Sequence, residues 1–304
     1  MKDKDRQELL IKGCIVGHLA GDAIGYHYRF THYDRIPRAS EIDMLSGPGV
    51  REVGTYTNSA ALSLCTMASI NDFADVNLED IMERFHDCHV GGYLNYDAEN
   101  YYIGTTSSQA IKNHSNGMPP DRCGLKDETD CEALTRILPV GLFFVNNVEM
   151  LIKHAHSICA LTHNNIQSQV CCALYSLIVR NILLDRPEKV FEILSEEYKQ
   201  KELAEYLQEL KKIQASSEME SDDVSAIFWT AWRIFSGNER SYRNCIIKAV
   251  RLGGQINSVA SIAGALCGLA NGVNDIPASW LRSLKLTPEV MDVIETFVFQ
   301  LSRP

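Results

Sequence analysis

The chain has 304 residues, 45% hydrophobic and 22% charged, with 39 acids against 29 bases and a net charge of −10. This is ordinary globular composition, long enough for one large domain or two small ones. The acid excess argues against a nucleic-acid backbone as main partner, since phosphate tracking needs a basic surface, but leaves room for one small phosphorylated ligand held by one or two arginines.

Strand signals are scarce along the chain and helical periodicity is frequent. The first helix is expected over 6–25, where Leu9, Leu10, Ile15, Val16, Leu19 and Ile24 recur among small residues. Gly17, Gly21 and Gly25 lie inside it. A helical glycine costs about 1 kcal/mol against alanine, so this spacing implies that another backbone passes close by. The N-terminal MKDKDRQELL lacks the apolar core of a signal peptide, and no run of about 18 apolar residues reads as a membrane span. A long loop is expected near 31–56. Gly54-Thr55-Tyr56-Thr57-Asn58-Ser59-Ala60 then leads into a helix, with Thr57, Asn58 and Ser59 as natural N-caps.

Asn77 is the expected cap of the next helix, with Glu79 and Asp80 in its first turn and Leu78, Ile81, Met82 and Phe85 on one face. A second long loop is expected near 91–133. Helices follow over 147–160, 166–184, 187–213, 223–236, 241–251, 258–270 and 287–302, with Pro187 in the first turn of its helix. The pattern predicts an all-α fold, one multi-helix domain over 1–304. The stretch 185–223 carries twelve acids against six bases. It is either an acidic docking surface or a solvated amphipathic helix, and the apolar stripe of Leu194, Leu203, Tyr206, Leu207 and Leu210 favours the second.

Ten cysteines without a CxxC pair, most of them inside apolar helical patterns, read as reduced, buried thiols and a cytoplasmic protein. His86-Asp87-Cys88-His89 does not have a recognised zinc spacing. Near the end, Leu252-Gly253-Gly254-Gln255-Ile256-Asn257-Ser258 opens a helix of very small residues running to Gly268. Such a helix belongs at the centre of a fold. Two polar helix N-termini, at 57–59 and 255–258, would attract an anion if the fold brought them together.

These segments, in this order, resemble the ADP-ribosylglycohydrolase family. The family's opening Gly-Asp-Ala-Leu-Gly is similar to Gly21-Asp22-Ala23-Ile24-Gly25. Its Thr-Asp-Asp-Thr motif is matched by Thr57-Asn58-Ser59-Ala60. Its Asn-Gly-x-x-Met-Arg-x-x-Pro stretch is matched by Cys131 to Pro139, with Arg136 on the arginine, and Thr162-His163 stands for its Thr-His pair. Gly253-Gly254-Gln255-Ile256-Asn257-Ser258 stands for Gly-Gly-Asp-x-Asp-Thr, with Ile276, Pro277 and Trp280 after it. The resemblance covers about residues 10–285.

The resemblance implies two Mg²⁺ or Mn²⁺ ions held by the two aspartate motifs, which bind ribose hydroxyls and position a water at the anomeric carbon. Hard divalent cations need anionic oxygens. All four aspartate positions are neutral here: Asn58, Ser59, Gln255 and Asn257. Without carboxylates the repulsion between two such cations is uncompensated, so no bound metal pair and no other cofactor is expected. Arg29 stands near the place of a family glutamate and cannot act as a base.

The expected ligand-facing set is therefore Arg29, Thr57, Asn58, Ser59, Arg136, His163, Gln255, Asn257 and Ser258. Arg29 either reaches a ligand phosphate or pairs with an acid. Arg136 fits a structural pairing within the core loop better than a ligand contact, while His163 is as compatible with a satisfied core as with a ligand. The expected function is a family member without the metal centre that binds ADP-ribose, an ADP-ribosylated protein, or a protein partner such as a toxin or regulator. Neither nucleic acid nor membrane is expected as a partner. The alternative is a metal-free hydrolase of a glycosidic bond to ADP-ribose, which needs a carboxylate near the anomeric carbon; Glu132 and Asp22 are the candidates. Cys131 with His163 as base is a further nucleophile candidate. A purely structural role is the third reading.

Overall fold

The computed structural model describes residues 3–29, 31–45, 52–96, 103–186, 188–216, 223–237 and 241–302. Among them sixteen α-helices follow one another with no named strand. They are α1 (Asp3–Tyr28), α2 (Asn58–Phe73), α3 (Leu78–Gly91), α4 (Thr105–Ser115), α5 (Pro120–Cys123) and α6 (Glu132–Arg136). Next come α7 (Leu138–Phe143), α8 (Val148–Ala160), α9 (Ile166–Leu183), α10 (Val190–Gln200) and α11 (Ala204–Ala215). The last are α12 (Val224–Ser236), α13 (Tyr242–Leu252), α14 (Ile256–Asn271), α15 (Ala278–Ser283) and α16 (Pro288–Leu301).

The centre is the antiparallel pair α1 and α14, and the small-residue spacing explains it. A Cβ on Gly13 would meet the Gly268 carbonyl at 2.3 Å, and one on Gly17 would meet that of Gly264 at 2.5 Å. One on Gly21 would meet the Ala260 carbonyl at 2.2 Å, and one on Gly25 the Asn257 Cα at 2.5 Å. The two backbones touch along four successive turns. Tyr242 of α13 seals the pair by donating to the Gly17 carbonyl at 2.6 Å. Gly253 and Gly254, with φ of 77° and 69°, make the left-handed turn that aims α14 back along α1.

Local capping matches the sequence signals. Asn77 accepts from the Asp80 amide at 3.2 Å, and Ile81, Met82, Phe85 and Cys88 form the buried face of α3. Asn147, Asn165, Asp223, Ser241 and Thr287 cap α8, α9, α12, α13 and α16 in the same way. Each such bond stabilises its helix by about 1 kcal/mol.

Four expectations need correction. The loop near 91–133 contains α4 and α5. The α4 sequence is rich in Thr, Ser and Asn, weak helix formers on their own, and burial of Thr106, Ser107, Ala110 and Ile111 holds it. The helix over 187–213 is two helices. Glu202 takes a left-handed φ of 55°, and α11 turns back to pack on α9 and bury Leu210 and Ile213. Pro187 lies outside the described residues. Cys245 and Cys267 are paired between α13 and α14, while the other eight cysteines are free and buried. Lys4–Tyr28 and Ile166–Leu183 are also long and apolar enough to cross a bilayer by length and mean hydropathy. In the fold 78% of each apolar window is buried, so both are accounted for as core helices.

His18 sits in the α1–α14 seam, fully buried, with Nδ1 at 2.6 Å from the Ser261 hydroxyl. Burial lowers its pKa to about 4, with the Ser261 bond opposing. The unfolded chain takes that proton near pH 6.5, so this contribution is intact above 6.5 and is lost as pH falls toward 4. The loss is on the order of 3 kcal/mol. Urea midpoints between pH 7 and 4.5 should show it, and His18→Gln should show a smaller drop over the same window.

Candidate functional site

The two polar helix N-termini converge, and Asp22 of α1 is where they meet. Its buried carboxylate accepts from the Thr57 amide, from the Thr57 hydroxyl at 3.0 Å and from the Asn257 side-chain amide at 3.3 Å. Thr57 stands at the N-cap position of α2, but its hydroxyl serves Asp22 and makes no cap bond. Asp22 itself satisfies the Thr57 N–H. Likewise α14 begins two residues earlier than expected, with Gln255 at its N-cap position and no side-chain cap bond. Asn257 and Ser258 therefore lie within its first turn and face neighbours.

The network continues on both sides of Asp22. The Asn58 side-chain oxygen accepts from Asn95 at 2.9 Å, both residues being buried. The Cys131 thiol donates to the Ser258 hydroxyl at 3.2 Å, tying the start of α6 to α14. Glu132, half-buried, accepts from the Ser107 hydroxyl of α4 at 2.6 Å. Four helix starts thus share one polar seam. Ser59 and Gln255 are half-buried beside it. Arg29, at the end of α1, is close enough for its charge to act on Cys131. Burial nevertheless dominates there and pushes the Cys131 thiol up to about 12. A thiol this reluctant to ionise is no nucleophile at neutral pH. His163 is also bonded elsewhere, so the Cys131–His163 pairing is not formed.

Behind the seam runs a second chain of contacts. Arg136, fully buried, donates to the Thr162 hydroxyl, with its guanidinium over the Phe85 ring at 5.4 Å. Burial lowers its pKa. Thr162 Oγ1 lies 2.7 Å from His163 Nδ1, and His163 Nε2 lies 2.8 Å from Asp130 Oδ1. Thr106 donates to the other Asp130 oxygen at 2.5 Å. Burial pushes the Asp130 carboxyl up, but the bonds from His163, Thr106 and the Glu132 amide outweigh it and hold it well below the usual carboxylate range. Asp130, Thr106, Ser107 and Asn95 were not among the residues expected from sequence. Asp130 stands one residue before Cys131, but only the fold reveals its partner, 33 residues away.

The resemblance implies two divalent cations at this seam, and the donor set does not fit them. The amide and hydroxyl oxygens at 58, 59, 255 and 257 are neutral. The seam's carboxylate at Asp22 already takes three donors. Among the described residues no group of three or more His, Cys, Asp or Glu is placed to hold a metal ion. Mg²⁺ gives up its waters reluctantly and needs anionic oxygens to do so.

The profile of ADP-ribosylglycohydrolase matches residues 3–303. The chain belongs to the ADP-ribosylglycohydrolase family. ADP-ribosylarginine hydrolase Tri1 of Serratia proteamaculans (strain 568) is 23% identical over 303 residues, covering 95% of this chain and 78% of Tri1. ADP-ribosyl-[dinitrogen reductase] glycohydrolase of Rhodospirillum rubrum is 21% identical over 280 residues, covering 91% of this chain and 90% of the relative. A solved structure titled ADP-ribosylglycohydrolase-related protein complex superposes with a TM-score of 0.76 at 20% identity, covering 98% of this chain and 99% of that one. The all-α ADP-ribosylglycohydrolase fold is thus shared across almost the whole length.

Proposed function

We propose that this family member binds the ADP-ribose moiety, free or on a modified protein, at the α2–α14 seam without a metal pair. The observation that carries the reading is the closure of Asp22 with Thr57 and Asn257, the second a neutral amide at a position where the resemblance puts a metal-ligating aspartate. Removal of four neighbouring carboxylates also removes their repulsion in the metal-free state. Four helix starts and Arg29 leave the seam suited to an anionic diphosphate. The named relatives act on ADP-ribosylarginine and ADP-ribosylated dinitrogen reductase, so an ADP-ribosylated protein is the natural class of partner; a toxin or a regulator fits that description.

A metal-free hydrolase is the second reading, and it rests on Glu132. This carboxylate is half-buried at the seam with one hydroxyl donor. Asp22, fully engaged and buried, is a poorer candidate. The test is titration calorimetry with ADP-ribose in EDTA and again with excess Mg²⁺. The expected result is micromolar binding in both, with no hydrolysis of ADP-ribosylarginine. Binding only with Mg²⁺ would overturn the metal-free reading. Metal-free turnover lost in Glu132→Gln would establish the second reading instead.

A further inference from the structure

The contacts behind the seam fix the position of every proton in them. Arg136 can only donate, so Thr162 Oγ1 accepts from it. Among the described residues the Thr162 hydroxyl proton then has one acceptor within reach, His163 Nδ1 at 2.7 Å. That leaves the His163 proton on Nε2, pointing at Asp130 Oδ1 at 2.8 Å. A proton on Nδ1 would leave the hydroxyl proton of Thr162 without an acceptor, in a pair of residues that are both 0% exposed.

Asp130 is where this relay reaches the surface. Its Oδ1 accepts from His163 and from the Glu132 amide, and its Oδ2 accepts from Thr106. A carboxylate offers about four lone-pair sites, so among the described residues one is left, on Oδ2. The His163 side chain is fully covered while that of Asp130 is 41% exposed, so a ligand can reach the Asp130 carboxylate from outside. It lies next to Cys131, which holds Ser258, and Glu132, which holds Ser107.

We propose that Arg136, Thr162 and His163 form a relay that holds Asp130 as a fixed acceptor for one ligand hydroxyl or N–H donor at the edge of the seam. This rests on the ADP-ribose reading for the ligand, whereas the relay itself does not. Asp130 is the ligand-binding residue. Arg136, Thr162 and His163 are positioning residues.

Two measurements test it. In the free protein, ¹⁵N NMR of the His163 ring should show a single form with Nδ1 unprotonated and Nε2 protonated. Thr162→Val should keep the proton on Nε2 but shift the Nδ1 resonance, which loses its hydrogen bond, and Thr162→Ser should return that resonance to its place. Calorimetry with ADP-ribose should show a Kd raised about tenfold in Asp130→Asn, whose amide nitrogen turns the open acceptor into a donor, and about threefold in Thr162→Val. Thr162→Ser should bind as the unaltered protein does, with circular dichroism unchanged throughout. A protonated Nδ1 in the unaltered protein, or a Thr162→Val protein whose Nδ1 resonance does not move, overturns the relay. Unchanged binding by Asp130→Asn overturns the acceptor role. Failure of the unaltered protein to bind ADP-ribose overturns the seam reading and the ligand role of Asp130 together, and the NMR result still decides the relay.

Discussion

Asp22→Ala is expected to destabilise the protein by about 4 kcal/mol, because it strands buried donors for which no other acceptor stands among the described residues. The Thr57 amide, the Thr57 hydroxyl and the Asn257 amide all lose the same carboxylate, and water has little access to a residue 1% exposed. The loss has a second consequence, since Asp22 ties the starts of α2 and α14 to α1. ADP-ribose binding should fall with stability, and more steeply than in a variant destabilised equally elsewhere. Asp22→Asn should sit between, because its oxygen can still accept while its nitrogen faces a donor. Urea unfolding at pH 7 and calorimetry on the same samples measure both. A loss below 1 kcal/mol for Asp22→Ala would mean that the network is solvated and holds nothing together.

The glycines of the α1–α14 pair should give effects of similar size by a different mechanism. An alanine at Gly268 would put its Cβ 1.9 Å from the Gly13 carbonyl, and one at Gly21 would be 2.2 Å from the Ala260 carbonyl. Backbone cannot rotate away as a side chain does, so the helices must separate. About 3 kcal/mol is expected for each, at the upper end of overpacking costs. Gly21→Ala should also weaken ligand binding, since Asp22 is the next residue. Gly91 is the internal control. Its added Cβ would meet nothing within 4 Å, at the last residue of α3, so Gly91→Ala should raise stability by up to about 1 kcal/mol through helix propensity alone. Thermal melts of the three variants decide the matter. Equal, small effects at Gly268, Gly21 and Gly91 would show that the pair is not closely packed in solution.

Much of this was legible in the chain because the signals are local. Asn77, Asn147 and Asp223 announce helix starts by themselves, since a short polar side chain can reach only the amides two or three residues on. The glycine spacing of α1 required some partner backbone, and the small residues of 256–268 offered one. Four neutral residues in place of aspartates were likewise visible without coordinates, and charge alone made a divalent pair a poor fit.

Other features depended on the fold. The turn at Glu202 has no Gly or Pro to mark it, and it exists because α11 gains more by packing on α9 than a straight helix would by continuing. The helix of Thr105–Ser115 is too polar to read as one until α3 and α5 cover it. Asp130 carries no sequence signal, because its importance comes from His163 and Thr106, which reach it from two other elements. By itself the sequence determined most of the helices, the need for a close partner backbone along α1 and the loss of carboxylates, all of which follow from spacing and charge. Only the tertiary structure decided which donors those changes left facing Asp22 and Asp130, because a hydrogen bond between residues far apart in sequence depends on where the backbones finally pack.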